Sequence, residues 1–233
     1  MKYEIFGEAC RVTRIIAAGL MLLMLLSAEA FAAPSGKITH TSGPIMVKKP
    51  DGSVKALSIG SSIDAGDVVM TQKRTYARIK FSDGSEVTLK PNTQFKVDRY
   101  AYDTAKPKDD TASFSLVKGG LRTITGQIGK RGNQDSYRMK TPTATIGIRG
   151  TIYEAHFCQG SDCGEKVDPG LYVAVKDGTI VFVDENNNTV IIEVKKDQYV
   201  YMKDAGSVPK VSDVKPPVSD IPQFDSDSGA CQM

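Results

Sequence analysis

The chain has 233 residues, of which 40% are hydrophobic and 24% are charged, and its formal net charge at pH 7 is +3. A chain of this length can bury a sizeable core, as one domain or as two small lobes. The positive charge is dispersed rather than clustered, which argues against nucleic acid as a partner.

The N-terminus has the pattern of a secretory signal peptide over residues 1–32. Basic residues precede an apolar segment over residues 15–26, and Ala30-Phe31-Ala32 provides a cleavage site. A membrane anchor is the alternative, but the apolar segment is shorter than the roughly 20 residues that a spanning helix needs. We therefore expect an exported protein, periplasmic or extracellular, with no spanning segment after cleavage. The alternative that the leader is retained as a membrane anchor stays open.

Downstream of the leader, apolar and polar residues alternate as in β hairpins with one buried face. In three places two such runs flank a short polar turn that contains an Asp-Gly step. The predicted hairpins are 45–47 with 54–57, 76–81 with 87–89, and 171–175 with 180–183.

These patterns predict an all-β fold, because only the leader has a helical pattern longer than about ten residues. We expect stacked antiparallel hairpins that form a β-roll or sandwich-like domain over residues 33–203, with terminal hairpins over 171–203. Residues 204–233 are rich in proline, serine and aspartate, and we interpret them as a disordered acidic tail.

The most informative segment is TPTATIGIRGT, residues 141–151. A proline, two glycines and a single arginine among β-branched residues indicate a sharply shaped backbone that presents one cation. The segment contains no nucleophile with an adjacent base, so it predicts a structural role or a binding role rather than catalysis.

Four motifs precede this segment: GDVVMT (66–71), FSDGSEVTL (81–89), KPNTQF (90–95) and LVKGGLRTITG (116–126). Together with TPTATIGIRGT they resemble the FecR family of bacterial envelope domains over about residues 37 to 155. The resemblance implies an all-β domain in which the signature residues are structural. These residues are Gly66, Asp67, Asp83, Gly84, Thr141, Pro142, Ala144, Gly147, Gly150 and Thr151.

Arg149 is the candidate binding residue, because its guanidinium could bind a carboxylate or a phosphate on a partner. Lys130 and Arg131 lie in a glycine-rich loop over residues 126–136 and could join it in a small cationic patch. The alternative is structural: Arg149 could hold neighbouring carbonyl groups or pair with an internal acid, and the loop charges could simply be solvated.

Cys158 and Cys163 enclose a short turn-like insertion, and in an oxidising compartment we expect a disulfide between them. A metal site formed by His156 and both cysteines, with Asp162 nearby, is the competing interpretation, but a structural zinc needs four ligands at recognised spacing. We predict no metal and no cofactor. Cys231 is left over, and its state is open.

No catalytic motif accompanies these features, so we expect a non-enzymatic protein. The FecR resemblance implies similarity to anti-sigma regulators, which relay signals through protein partners in the envelope. An envelope protein partner, which could bind by adding a strand to an exposed sheet edge, is therefore the first hypothesis. The alternative is a structural or adhesive module that binds peptidoglycan or another glycan, although the chain has no tryptophan for sugar stacking.

Overall fold

The computed structural model describes residues 34–131, 135–163, 167–184 and 189–214. This part of the chain is almost entirely β-structure, which confirms the predicted fold class, and its only helical elements are two short 3-10 turns at Pro107–Asp109 and Gly160–Cys163. The strands are β1 Gly36–Thr41, β2 Ile45–Lys48, β3 Val54–Leu57, β4 Ser62–Ile63, β5 Val68–Thr71, β6 Ala77–Phe81, β7 Glu86–Leu89, β8 Gln94–Ala101, β9 Thr111–Ile124, β10 Tyr137–Lys140, β11 Thr145–Cys158, β12 Gly170–Asp184, β13 Thr189–Lys195, β14 Tyr199–Met202 and β15 Lys210–Ser212.

All these strands belong to one hydrogen-bonded sheet, which divides into two leaves. The first leaf has the order β3-β2-β5-β8-β9-β10-β11-β12-β13, and the second has the order β4-β1-β6-β7-β9-β11-β12-β14-β15. The long strands β9, β11 and β12 take part in both leaves. Strands that pass from one sheet to another in this way form the corners of sandwich-like folds.

Each of the three long strands carries a glycine with positive φ near the point where it changes leaf. The φ values are +84° at Gly119 in β9, +60° at Gly150 in β11 and +75° at Gly178 in β12. Residues with a Cβ rarely adopt this conformation, so glycine allows the strand to bend without steric cost. The bends let the two leaves face each other.

The third predicted hairpin is wrong. Asp177 and Gly178 do not form a turn between two strands, because β12 runs without interruption from Gly170 to Asp184. Gly178 supplies a bend within this strand, where the register with β11 shifts. An Asp-Gly step supports a hairpin turn and a strand bend equally well, and the long-range pairing with β11 decides between them. The other two predicted hairpins form as β2 with β3 and β6 with β7.

The facing surfaces of the two leaves bury one hydrophobic core. At its centre, Phe114 of the first leaf lies 5.0 Å from Phe81 of the second leaf, 5.3 Å from Phe95 and 5.7 Å from Tyr137 between ring centroids. These rings are nearly or fully buried. Tilted and edge-on ring contacts at these distances add to the stabilisation from apolar burial.

The ordered chain extends beyond the predicted start of the tail at residue 204. β15 pairs with β14 from Lys210 to Ser212, after a turn in which Gly206 has a φ of +82°. All three side chains of β15 are exposed, so the strand has no hydrophobic pattern by which the sequence could reveal it. Residues 215–233, with Cys231, lie outside the described residues, as does the leader. Within the described ranges, no helix has the length and hydrophobicity needed to cross a membrane.

Candidate functional site

The signature segment begins in the turn between β10 and β11. The Thr141 hydroxyl accepts hydrogen bonds from the backbone N–H groups of Thr143 (3.3 Å) and Ala144 (3.0 Å). It also donates to the Ala144 carbonyl at 2.8 Å, while Pro142 is exposed at the tip. A threonine that satisfies three backbone groups fixes a single turn conformation.

The end of the signature fixes the bend in β11. The Thr151 hydroxyl donates to the Thr179 carbonyl of β12 at 2.6 Å, and the Thr151 N–H donates to the Thr125 hydroxyl at 2.8 Å. Gly147 has no room for a side chain, because a Cβ there would approach Val181 Cγ2 to 2.9 Å. The glycines and threonines of the segment therefore hold backbone geometry.

An upstream motif forms a buried hub around Asp83. Its Oδ1 accepts hydrogen bonds from Ser85 N–H (3.0 Å), the Ser85 hydroxyl (2.6 Å) and the Tyr100 hydroxyl (3.0 Å), and its Oδ2 accepts one from Ile128 N–H at 3.2 Å. Gly126 packs directly on this hub, since a Cβ there would lie 2.4 Å from the Ser85 nitrogen. Asp83 thus ties the β6–β7 turn to the loop that precedes β10.

The Gly66-Asp67 pair forms a second hub. Asp67 is fully buried, and its Oδ2 accepts hydrogen bonds from Lys49 Nζ at 2.8 Å and from Asp64 N–H at 2.9 Å. Gly66 has a φ of +89°, and its N–H donates to the Val97 carbonyl at 2.6 Å. These contacts join the turn before β5 to β8.

The three candidate binding residues occupy different surroundings. Arg149 is exposed on β11, and Lys130 lies beside the next residue, since a Cβ on Gly150 would be 3.8 Å from Lys130 Cγ. Arg131 turns away: its guanidinium pairs with the fully buried carboxylate of Asp110 at 3.0 Å and also stacks over an aromatic ring, that of Tyr102, at 4.7 Å. The structure therefore places Lys130 next to the signature glycine at position 150 and pairs Arg131 with Asp110.

An open groove, which we call the signature groove, lies next to the signature turn and has a volume of about 510 Å³. One side is formed by the turn itself, one by β12 and β13, and one by the segment that follows β14. Its lining is largely apolar or small: Thr141, Pro142, Thr143, Ala144, Thr145, Val183, Ile191, Met202, Ala205, Gly206, Ser207, Val208 and Pro209.

A second, polar depression lies on the outer surface of the first leaf, across β8, β9 and β10. This depression, which we call the cationic trough, has a volume of about 670 Å³. Four cations and two carboxylates surround a floor of serines. The lining residues are Lys96, Asp98, Arg99, Thr111, Ala112, Ser113, Ser115, Asp135, Ser136, Arg138 and Lys140.

Sequence reasoning missed the trough because its cations are far apart in the chain. Alternation offered a partial signal: Lys96 and Asp98 in β8, and Arg138 and Lys140 in β10, occupy every second position and so share one face of their strands. Only the pairing of both strands with β9 brings the two sets together, and the parallel pairing of β10 with β9 has no local sequence signal.

The cysteine prediction is confirmed, since Cys158 and Cys163 form a disulfide. Both cysteines pack against Tyr172, and as disulfide partners they do not provide thiolate ligands. No group of three or more His, Cys, Asp or Glu side chains within the described ranges is arranged to hold a metal ion. Burial, with the nearby Lys90 ammonium, lowers the pKa of His156 to about 4, so this imidazole is neutral at physiological pH.

The bent double-leaf β fold and its buried turn hubs define an all-β domain whose signature residues hold the backbone. The family model described as FecR protein matches residues 67–181. The chain therefore contains a FecR domain over these residues. The matched region starts later than the predicted likeness and ends later, because it includes most of β12.

Among solved structures, two crystal structures of a protein from Parabacteroides distasonis ATCC 8503, proposed to be an anti-sigma factor, resemble the chain with a TM-score of 0.46 and 12% identity. The match covers 62% of this chain and 58% of that protein. A cell surface anchoring domain matches with a TM-score of 0.26 and 27% identity, over 27% of this chain and 83% of that domain. No curated protein matches the chain.

Proposed function

We propose that the protein is a non-enzymatic, exported binding module that engages a protein partner in the bacterial cell envelope, as part of signal sensing or regulation. The FecR domain supports a regulatory role. The observation that carries the proposal is the signature groove, because it places the most characteristic turn of the chain beside an open strand edge.

β13 forms this edge. Among the described strands it pairs only with β12, so its other side offers backbone donors and acceptors to an incoming strand. Its Ile191 side chain is 49% exposed and lines the groove. In recognition by strand addition, backbone hydrogen bonds provide affinity, and a neighbouring pocket that receives alternate side chains provides specificity. Edge and groove together supply both elements.

Arg149 provides a polar contact for the same partner. It shares one face of β11 with Thr145, and Thr145 lines the groove. An acidic group on the partner could therefore meet Arg149 while an apolar strand occupies the groove. We place the partner on this outer surface of the first leaf.

The disulfide supports export, because such bonds form and persist in oxidising compartments. The leader predicted over residues 1–32 lies outside the described residues, and we propose that it directs export. We also propose that the protein has no enzymatic activity.

Photo-crosslinking tests this proposal. A photoreactive amino acid placed at position 191 should give one defined protein adduct in native envelopes, whereas the same label at Ile124, an exposed residue of the second leaf, should not. The change Ile191→Lys should abolish capture by the label placed at position 208 of the groove, and the matched change Ile124→Lys should leave it intact. Arg149→Ala should weaken capture of the partner by the label at position 208.

Equal adducts from positions 191 and 124 would contradict the proposal. Sedimentation of the protein with peptidoglycan, without any protein adduct at the groove, would also contradict it and favour an envelope-anchoring module.

A further inference from the structure

The cationic trough has a regular construction that follows from strand register. In one row across the three strands, Ser115 of β9 lies between Lys96 of β8 and Lys140 of β10. In the neighbouring row, Ser113 lies between Arg99 and Arg138. The small serines form a floor, and the long cationic side chains form two walls.

Strand geometry sets the spacing of these cations. Residues two strands apart are separated by about 10 Å, and residues two positions apart along a strand by about 7 Å. The trough is therefore a channel that runs parallel to the strands, with one pair of opposed cations in each row. Such a channel accepts a single extended chain that carries negative charges at regular intervals.

Two carboxylates of the trough pair with two of its cations. Asp98 pairs with Lys96 at 2.8 Å and accepts a hydrogen bond from the Ser115 hydroxyl at 2.5 Å, and Asp135 pairs with Arg138 at 3.4 Å. Four cations and two carboxylates thus line the trough. Guanidinium groups bind phosphate with two parallel hydrogen bonds.

We propose that the cationic trough binds a linear envelope polymer that carries phosphate groups along its backbone. A peptide fits less well. Ser113 and Ser115 lie on a strand whose backbone is already paired on both sides, so the trough has no open edge for backbone hydrogen bonds. Its lining contains one alanine as its only apolar residue, which leaves no pocket for apolar side chains, and no aromatic ring on which a nucleobase or a sugar could stack.

This inference is independent of the proposed function, because trough and signature groove share no lining residue. It develops the second hypothesis from the sequence, that the module binds an envelope polymer, and assigns the recognition to the phosphate groups.

A matched pair of substitutions at Ser113 tests the proposal with the full chain. Ser113→Asp places a carboxylate between Arg99 and Arg138, whereas Ser113→Asn has nearly the same shape without the charge. The probes are poly(glycerol phosphate), poly-glutamate, single-stranded DNA and neutral dextran. We expect saturable binding of poly(glycerol phosphate), weakened about tenfold or more by Ser113→Asp and less than about threefold by Ser113→Asn. Raising the salt concentration should weaken it further, because these exposed charges are screened.

Thermal unfolding of both variants shows whether the fold is kept, and a carboxylate among cations should not lower stability. If Ser113→Asp unfolds the protein, Lys140→Gln with Lys55→Gln as the control on the β3 edge makes the same comparison. The proposal is overturned if the two variants of a pair bind poly(glycerol phosphate) with equal affinity. It is also overturned if the wild-type protein binds poly-glutamate or DNA as tightly as poly(glycerol phosphate). If Ser113→Asp loses binding of poly(glycerol phosphate) but keeps normal crosslinking at the signature groove, the result supports the trough proposal independently of the proposed function.

Discussion

Gly150 and Gly178 lie opposite each other at the point where the β11–β12 pair bends between the two leaves. Both residues have positive φ, and a Cβ on Gly178 would approach the Gly150 carbonyl oxygen to 2.4 Å. The arginine and glycine of the signature are therefore next to a close backbone contact within the β11–β12 pairing. This contact explains why position 178 needs glycine, whereas position 150 favours glycine because its φ is +60°.

The first prediction concerns this contact. Gly178→Ala should lower the free energy of unfolding by about 2 kcal/mol or more, because it adds a backbone clash to the cost of a positive φ. Gly52→Ala is the control: Gly52 has a φ of +84°, but nothing lies within 4 Å of its Cβ position. The free energy of unfolding of the control should fall by only about 1 kcal/mol. Urea unfolding followed by circular dichroism measures both, and equal losses would show that the contact is unimportant.

The second prediction separates the two arginines that sequence analysis grouped together. Arg131→Ala leaves the buried carboxylate of Asp110 without its ion pair and should cost about 2 kcal/mol. Arg149 is exposed, and Arg149→Ala should change stability by no more than about 0.5 kcal/mol. Denaturant unfolding of both variants is the measurement. A large loss for Arg149→Ala would favour the structural interpretation of that residue.

The third prediction concerns the Asp83 hub. Asp83→Asn turns an amide donor toward either the Ser85 or the Ile128 N–H group, so one hydrogen bond is replaced by a donor–donor contact. We expect a loss of about 1–3 kcal/mol. Tyr100→Phe removes one hydroxyl from the same hub and should cost about 1 kcal/mol. If the free energy of unfolding lost by the double variant equals the sum of the losses for Asp83→Asn and Tyr100→Phe, the two residues do not act as one network.

The fourth prediction is a pH dependence that arises from His156. Its pKa is about 4 in the folded protein and about 6.5 in the unfolded chain. Between these values the unfolded state binds more protons, so the stabilisation is fully present above pH 6.5 and is lost as the pH falls. We expect a loss of about 1–2 kcal/mol from pH 7 to pH 5.

His156→Gln should flatten this pH profile over the same range. His40→Gln is the comparison, since His40 is the other histidine and its pKa is also lowered, by burial and by the Arg78 guanidinium. We expect it to flatten the profile less than His156→Gln does. Unfolding curves at several pH values between 5 and 7 provide the test. An unchanged slope in His156→Gln would mean that another group titrates.

The fifth prediction concerns the disulfide. Replacing both Cys158 and Cys163 with serine should lower the free energy of unfolding by about 2 kcal/mol, because the bond closes only a short loop. Reduction of the wild-type protein should cause the same loss and should not affect the double variant. Mass spectrometry of the unreduced protein must also show the two residues linked, and two free thiols would contradict the structure.

Local features of the sequence predicted much of the fold. The β2–β3 and β6–β7 hairpins formed where alternation and turn residues indicated them, since these signals act within a few residues. The disulfide was predictable for the same reason, because its partners are five positions apart. The Asp177-Gly178 step was misread because its conformation depends on pairing with Ile152 of β11, which lies 25 residues earlier in the chain.

The candidate sites were less accessible to prediction. Sequence pattern identified the signature turn and Arg149, but neither the groove beside that turn nor the cationic trough. Both depressions combine side chains from several strands, and a sequence pattern reports only which face of its own strand a residue occupies.

The sequence by itself thus determined the all-β class, two of the three predicted hairpins, the FecR likeness and the cysteine pairing, because these features depend on residues close together in the chain. Only the tertiary structure decided where β9, β11 and β12 bend from one leaf to the other, and which cations become neighbours. The physical reason is that strand pairing joins residues distant in sequence through backbone hydrogen bonds, which are the same for almost every residue type.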